Sequence, residues 1–312
     1  MGNTNTTVVA VVVTYNRLPL LKRTIGCLLA QTHALSRIVV VNNGSTDGTH
    51  EWLSEQTETR LHTVEQANVG GSGGFYRGMQ EALALGAQWV WCMDDDVFPR
   101  PECLEHLLPY TASNDYALIA PRRLLEGAVF TNDFTGYDLT HPFRSLYTGK
   151  LRKLPVQPTA PTEIAGTAFE GPLISAEAIK HIGLPRKELF IFCDDTDYCL
   201  RLKRAGYRLL YVPAALMDKH RFFSNDTWAE RTRKKRWKRL YQVRNATFIN
   251  HHYGCNWGVR HLRGFNTMLG YWLIALVTCS FSKAYCFSDL SKLWKAYKDG
   301  VNERLGTKHY NE

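Results

Sequence analysis

The stretch Gln88-Trp89-Val90-Trp91-Cys92-Met93-Asp94-Asp95-Asp96-Val97-Phe98-Pro99 decides how this chain folds. A largely apolar run leads straight into three carboxylates and then a proline. An apolar run rich in aromatic residues and valine reads as a strand buried on both faces, as in a parallel sheet. Three adjacent acids cannot stay inside the sheet, because unpaired buried charge is too costly. They belong at the C-terminal end of the strand, where open α/β sheets bind their ligands. In extended chain, residues i and i+2 share a face. Asp94 and Asp96 can therefore reach one cation while Asp95 points elsewhere. Adjacent carboxylates repel unless a cation neutralises them, and a hard divalent ion that bridges to phosphates suits such a site. The plainer alternative is a solvated acidic turn.

Upstream, the same architecture repeats. Val8 to Val13 is an apolar strand ending at Thr14-Tyr15-Asn16-Arg17, and Leu18 to Leu29 has helical spacing with Pro19 in its first turn. Ile38 to Val41 is a second strand, ending in Asn42-Asn43-Gly44-Ser45-Thr46-Asp47-Gly48 before a helix over Thr49 to Gln56. A short strand over His62 to Glu65 leads to the Gly-rich loop Asn68-Val69-Gly70-Gly71-Ser72-Gly73-Gly74-Phe75, with a helix expected from Tyr76 to Leu85. Alternating strands and helices predict an α/β fold with a doubly wound, mostly parallel sheet. The Gly-rich loop reads either as a phosphate cradle at a helix N-terminus or as a flexible turn. It lacks the Lys-Ser/Thr of a P-loop. Arg77, just inside the helix, favours the phosphate reading, and a surface arginine is the alternative.

Downstream, Glu102 to Tyr110 reads as a helix and Tyr116 to Pro121 as a strand. Arg122 to Pro161 is rich in turn residues and predicts irregular loops shaping an acceptor pocket. Ile164 to Ser175 reads as strand-turn-strand, with Glu170 either facing the pocket or buried as a hydrogen-bonded structural acid. In a second acidic group, Asp194-Asp195-Thr196-Asp197, an apolar entry delivers the first acids and a helix is expected from Asp197 to Ala205, closed by Gly206. Helix capping explains at least one of its acids, and another is placed to act as a general base. Tyr207 to Val212 is a further strand leading to Asp218-Lys219-His220. Ser224-Asn225-Asp226 then cap a basic helix (Arg231, Arg233, Lys234, Lys235, Arg236, Lys238, Arg239) whose apolar stripe Trp237, Leu240, Tyr241, Phe248 is interrupted by Arg244. Phe265 to Ser282 carries no charge and is expected to be a buried or interfacial helix, short of a bilayer span. The last helix runs from Ser288 to Lys298.

The totals fit this plan. With 312 residues, 45% of them hydrophobic, the chain can build one large α/β domain, expected over 1–225 with a donor half to 121, plus a helical region over 226–312. The net charge of +9 implies an anionic partner: a nucleotide, a nucleic acid or a membrane surface. Two acidic clusters at strand ends and the lack of a recognition motif argue against nucleic acid. The 8 cysteines form no Cys-x-x-Cys pair, so neither a zinc site nor a disulfide framework is expected. The N-terminus does not read as a signal peptide, and a cytoplasmic setting is expected.

In this order, Val11-Val12-Val13-Thr14-Tyr15-Asn16-Arg17, Val41-Asn42-Asn43-Gly44-Ser45-Thr46-Asp47, the Asn68 loop, the acid triplet, Phe192-Cys193-Asp194-Asp195-Thr196-Asp197-Tyr198 and Tyr241-Gln242-Val243-Arg244-Asn245 resemble the inverting family 2 glycosyltransferases of GT-A fold. The Gly-rich loop together with the triplet looks most like the bacterial galactofuranosyltransferases, with the rhamnosyltransferases close behind. The resemblance implies a donor set of Thr14, Tyr15, Asn16, Arg17, Asn43, Asp47, Asn68, Gly71, Arg77 and Asp95, with Arg77 on the diphosphate. It implies Mn²⁺ or Mg²⁺ on Asp94, Asp96 and His220, and Asp195 as catalytic base. It also implies a UDP-sugar donor, a polyprenyl-diphosphate-linked glycan acceptor and a peripheral position at the inner face of the cell membrane. Asn42 departs from the pattern, because many relatives carry Asp there.

Overall fold

The computed structural model describes residues 6–112, 115–222, 226–281 and 284–306. Two compact units emerge. One comprises Met1–Gly136, Gly149–Lys187 and Asp195–Arg221, the other Tyr137–Thr148, Glu188–Asp194 and Phe222–Glu312.

The first unit is the α/β unit. It begins β1 (Val8–Thr14), α1 (Leu18–Leu29), β2 (Arg37–Asn42), α2 (Thr49–Ser54), β3 (Leu61–Glu65), α3 (Gly70–Ala84), β4 (Trp89–Asp94). It continues with β5 (Val97–Pro99), α4 (Cys103–Leu107), β6 (Tyr116–Leu125) and β7 (Ala128–Val129). The strands β8 (Phe134–Tyr137) and β9 (Tyr147–Lys150) pair with each other, and Phe134 also bridges Gly166. Then come β10 (Thr162–Ile164), β11 (Leu173–Ser175), α5 (Ala176–Ile182), α6 (Asp194–Arg204) and β12 (Arg208–Lys219). The main sheet runs β10-β12-β6-β11-β4-β1-β2-β3, with β5 added to β12 and β7 to β6. β3, β2, β1 and β4 are parallel, and β12 runs parallel to β6. β11 lies antiparallel between β4 and β6, and β10 antiparallel on β12. The sheet is thus mixed and mostly parallel. β1 is buried along its whole length, and so is β4 up to Asp94, which is half-buried, as two-faced burial requires.

Three expectations shift. Ile164 to Ser175 is not a hairpin: Ile164 ends β10 (Thr162–Ile164), Leu173–Ser175 form β11, and the two strands lie at separate places in the sheet. β12 runs on to Lys219, because its register on β6 jumps between Val212 and Leu216. The bulge at Pro213-Ala214-Ala215 absorbs a proline that cannot continue the ladder, and beyond it the strand pairs with β5. Finally, Gly70 to Gly74 are not a loop but the first turns of α3. A Cβ on Gly74 would lie 2.4 Å from Val13 Cγ1, and one on Gly78 2.2 Å from Val11 Cγ1. The glycines let the helix backbone lie directly on β1.

The second unit is helical: α7 (Trp228–Tyr253), α8 (Gly264–Phe281) and α9 (Phe287–Val301). The expected cap residues Ser224 and Asn225 lie outside the described residues. Thr227 caps α7 in a reciprocal pair with Glu230, and Asp226 instead pairs with Lys234. Leu240, Tyr241, Val243, Met268, Ala275, Leu293 and Ala296 are buried together in its core. Among the described residues, no helix is long and apolar enough to cross a membrane.

Candidate active site

The acid triplet sits where its sequence placed it. Asp94 ends β4, and Asp95-Asp96 form the turn into β5. The three side chains diverge. Asp95 is buried, accepts from Thr14 Oγ1 at 2.7 Å and pairs with Arg17 Nη1 at 2.9 Å. Asp96 pairs with Lys219 Nζ at 3.1 Å and lies 3.6 Å from Arg17 Nη1. Lys219 also holds Glu170 Oε1 at 2.7 Å. Behind Glu170 stands the buried Arg123, 3.4 Å from Glu170 Oε2 and 2.6 Å from the buried Asp133. A chain of alternating charge thus runs Asp133, Arg123, Glu170, Lys219, Asp96, Arg17, Asp95. Glu170 is positioned by Gly171, whose φ of +105° and contact with Met217 leave no room for a side chain. Gly171 also ties the turn to β4, its N–H donating to Cys92 O and its carbonyl accepting from Trp91 Nε1.

Asp94 is the acid this chain of cations serves least. Burial, then the neighbouring Asp96 and Glu170, raise its pKa well above the usual carboxylate value, against the opposing pull of Lys219. Hard oxygen donors in such excess over cations suit a divalent ion. Asp94 and Asp96 fit that role by chemistry, although among the described residues no three His, Cys, Asp or Glu side chains are gathered as a metal centre. His220 follows β12 directly, and its backbone N–H donates to Asp96 O.

The other expected donor residues follow β1 and β2 or lie at the start of α3, and many hold the loops in shape. Asn16 adopts a left-handed φ of +53°, and its Oδ1 accepts from Thr46 N. Asp47 accepts from Leu18 N at the start of α1 and from Thr49 Oγ1. Asn43 is buried, bonded to Gly70 O and Gln66 Nε2. Asn68 Oδ1 accepts from Gly70 N at the start of α3. Arg77 pairs with Glu81 one turn along α3. Tyr15 is 46% exposed, and Gly71 has open space on its Cβ side. Asn42 explains its own departure from the pattern. Its amide donates to both oxygens of Glu65, so a second carboxylate there would face the first.

Asp195 lies in the first turn of α6, where its Oδ1 accepts from Thr196 N and Oγ1. Asp197 is the structural acid of the group. It is buried between Arg186 Nε at 3.1 Å and Arg201 Nε at 3.0 Å. The loop running into α6 is strained, with Phe190, Phe192 and Cys193 all at φ between 64° and 69°. Within the helical unit this loop is clamped. Asn245 Nδ2 lies 2.8–2.9 Å from the carbonyls of Leu189, Ile191 and Phe192, and Arg244 Nη2 donates to those of Glu188 and Leu189. Arg244 therefore interrupts the apolar stripe of α7 because it is itself buried, at 1% exposure. Sequence reasoning passed over Lys219 and Arg123. Their signal was faint: a cation one residue beyond the acid of Asp218-Lys219-His220, and an arginine at the end of an apolar strand.

A mostly parallel sheet with acids gathered beyond the C-terminal end of a central strand is the ligand-binding arrangement of open α/β proteins, and sequence comparison identifies the family. Residues 9–170 match the family described as glycosyl transferase family 2; the protein belongs to that family and is a glycosyltransferase. It is 31% identical to the galactofuranosyltransferase GlfT1 of Mycolicibacterium smegmatis over 212 residues, 65% of this chain and 68% of that one. It is 32% identical to GlfT1 of Mycobacterium tuberculosis over 205 residues, 64% of this chain and 65% of that one. To the dTDP-rhamnosyl transferase RfbF of Shigella flexneri it is 28% identical over 67% of each chain. The fold also matches GalNAc-T7 solved with UDP, GalNAc and Mn²⁺, with a TM-score of 0.58 at 16% identity over 89% of this chain and 58% of that one. The mannosyltransferase PcManGT from Pyrobaculum calidifontis, solved with GDP-Man and Mn²⁺, matches with a TM-score of 0.53 at 12% identity over 97% and 90%. These structural likenesses establish the GT-A fold.

Proposed function

We propose that the protein transfers galactofuranose from UDP-galactofuranose, with inversion, to a hydroxyl of a lipid-linked glycan in the assembly of a bacterial cell-surface polysaccharide. The observation that carries the reading is the acidic turn at the end of β4, flanked by Thr14 and Arg17, in a family 2 chain similar to a galactofuranosyltransferase over 65% of its length. Thr14, Tyr15, Asn16, Arg17, Asn43, Asp47, Asn68, Gly71, Arg77 and Asp95 form the donor side, and Asp94, Asp96 and His220 are the residues that would hold Mn²⁺ or Mg²⁺. A divalent ion there supplies neutralising charge for the departing nucleoside diphosphate. Arg17 holds Asp95 and Asp96 in place from the β1 side. Asp195 takes the proton of the acceptor hydroxyl. That oxygen bonds to the anomeric carbon on the face opposite the nucleotide, the bond to the diphosphate oxygen breaks, and the configuration inverts. The basic first half of α7 and the exposed apolar residues of α8 support docking on the anionic inner face of the cell membrane.

Calorimetry with UDP and dTDP, with Mn²⁺ and then with chelator, tests the donor and metal together. Metal-dependent preference for UDP is expected. The resemblance to RfbF favours rhamnosyl transfer as second reading, and a preference for dTDP would establish it. Absence of binding to either would overturn the donor site. Asp195→Asn is expected to abolish transfer while UDP still binds, and normal turnover in that variant removes the base assignment. Flotation with anionic liposomes reads the membrane contact, and no co-migration at low salt counts against it.

A further inference from the structure

The helical unit holds a cavity of about 230 Å³. Its polar lining is Arg144, Ser145, Tyr147, Asn250, Arg263 and Thr267, and no acidic residue contributes to its wall. Arg263 is only 6% exposed. Its guanidinium donates to the carbonyls of Asp138 and His141 and to Asn250 Oδ1, while its Nε has no hydrogen-bond partner among the described residues. The carboxylate of Asp138 stands 3.8 Å from Nη2, and its Oδ1 already accepts from Thr140 N, Thr140 Oγ1 and His141 N. Arg144 is exposed, and among the described residues its side chain has no ion pair. A buried, under-compensated arginine lining the same cavity as a second one, with hydroxyls and an amide in the same lining, has the makings of an anion seat.

A second observation gives the ligand its other half. Thr267 lies on α8, and the same helical stripe continues through Gly270 to Ile274, Val277 and Phe281, at i+3, i+7, i+10 and i+14. These three apolar residues are 42%, 60% and 87% exposed. Polar seat and bare apolar track therefore share one helix face. At the other wall stands Cys193, two residues ahead of Asp195 in the chain.

We propose that this cavity seats the phosphate group of the lipid-linked acceptor, with its apolar chain laid along Ile274, Val277 and Phe281. This rests on the lipid-acceptor reading above and locates its binding site. The charge and the amphipathic continuity select an amphiphilic phosphate over a free one.

The test is calorimetry on the full chain in chelator, with farnesyl diphosphate and inorganic pyrophosphate as probes. Farnesyl diphosphate is expected to bind at one site. Arg144→Gln, an exposed position whose loss leaves the fold intact, should weaken it by about tenfold, the loss expected for one charge-assisted contact. Val277→Ser should weaken farnesyl diphosphate but not pyrophosphate. Equal affinity for both probes, insensitive to Val277→Ser, would reduce the site to a free-phosphate site and overturn the lipid assignment. No binding, or binding indifferent to Arg144→Gln, would overturn the site itself. UDP titrated into the same wild-type protein with Mn²⁺ reports the donor site separately. A chain that binds UDP but not farnesyl diphosphate keeps the transferase reading and loses this one; a chain that binds neither loses both.

Discussion

Replacing Asn245 by alanine removes the clamp on the loop that feeds α6. Its amide faces three carbonyls at 2.8–2.9 Å, and the side chain is fully buried. Two N–H bonds are lost, and so is the bond that Asn245 Oδ1 accepts from Arg244 Nε at 2.8 Å, at about 1 kcal/mol net each, and a carbonyl left buried without a donor costs about 1–3 kcal/mol more. The loop has its own reason to move, since each left-handed residue at Phe190, Phe192 and Cys193 stores about 1–3 kcal/mol of strain. Phe190 stays held, because it is buried and stacked on Tyr241 at 4.9 Å. Release is therefore expected at Phe192 and Cys193, immediately before Asp194 and the proposed base Asp195. A displacement worth about 2 kcal/mol in the transition state lowers kcat roughly 30-fold. The assay is steady-state transfer with UDP-sugar and acceptor, alongside calorimetric UDP binding and limited proteolysis of the loop. The expected pattern is a large fall in kcat, unchanged UDP affinity and new cleavage near residue 192. Turnover within about threefold of wild type, with the loop still resistant, would refute the reasoning. A parallel loss of UDP binding and cooperative unfolding would reduce Asn245 to a general role in the fold.

Other expectations follow from the sheet unit. Gly78→Ala places a Cβ 2.2 Å from the fully buried Val11, and Gly71→Ala meets nothing within 4 Å. Thermal unfolding should show the first destabilised by about 1–3 kcal/mol of overpacking and the second stabilised by up to about 1 kcal/mol of helix propensity. Asp133→Ala removes the closer of the two carboxylates paired with the buried Arg123, leaving Glu170, and should cost about 3 kcal/mol, read as a lowered denaturation midpoint. Lys219→Met leaves Asp96 and Glu170 without their shared cation. Its melting temperature should fall in chelator and recover more than that of the wild type when Mn²⁺ is added; equal responses would remove Lys219 from the site.

What the sequence made legible were long, uniform signals. β1, β2 and β4 are apolar runs buried on both faces, so composition alone located them. The acid triplet was legible because its charge had to leave the sheet. β11 was not, because three residues, Leu173–Ser175, are too short to show a direction, and its antiparallel place between β4 and β6 is a long-range outcome. The glycines of α3 read as a loop because helix propensity disfavours them, whereas close packing on Val11 and Val13 selects them. Arg123 and Asp133 were missed because a buried pair drawn from a loosely patterned region leaves no periodic trace.

The bulge at residues 213–215 sets which way the last residues of β12 face. Beyond it, Asp218 meets Arg100 and Lys219 meets Asp96 and Glu170, opposite charges on opposite faces. A slip of one residue would turn the aspartate toward the acids and the lysine toward the arginine, making every one of these contacts repulsive. The strand end thus carries its own error check. A length change in the Pro213-Ala214-Ala215 segment is penalised at once by charge, so the proline-containing kink and the alternating ions beyond it are expected to be retained or lost as one inherited unit.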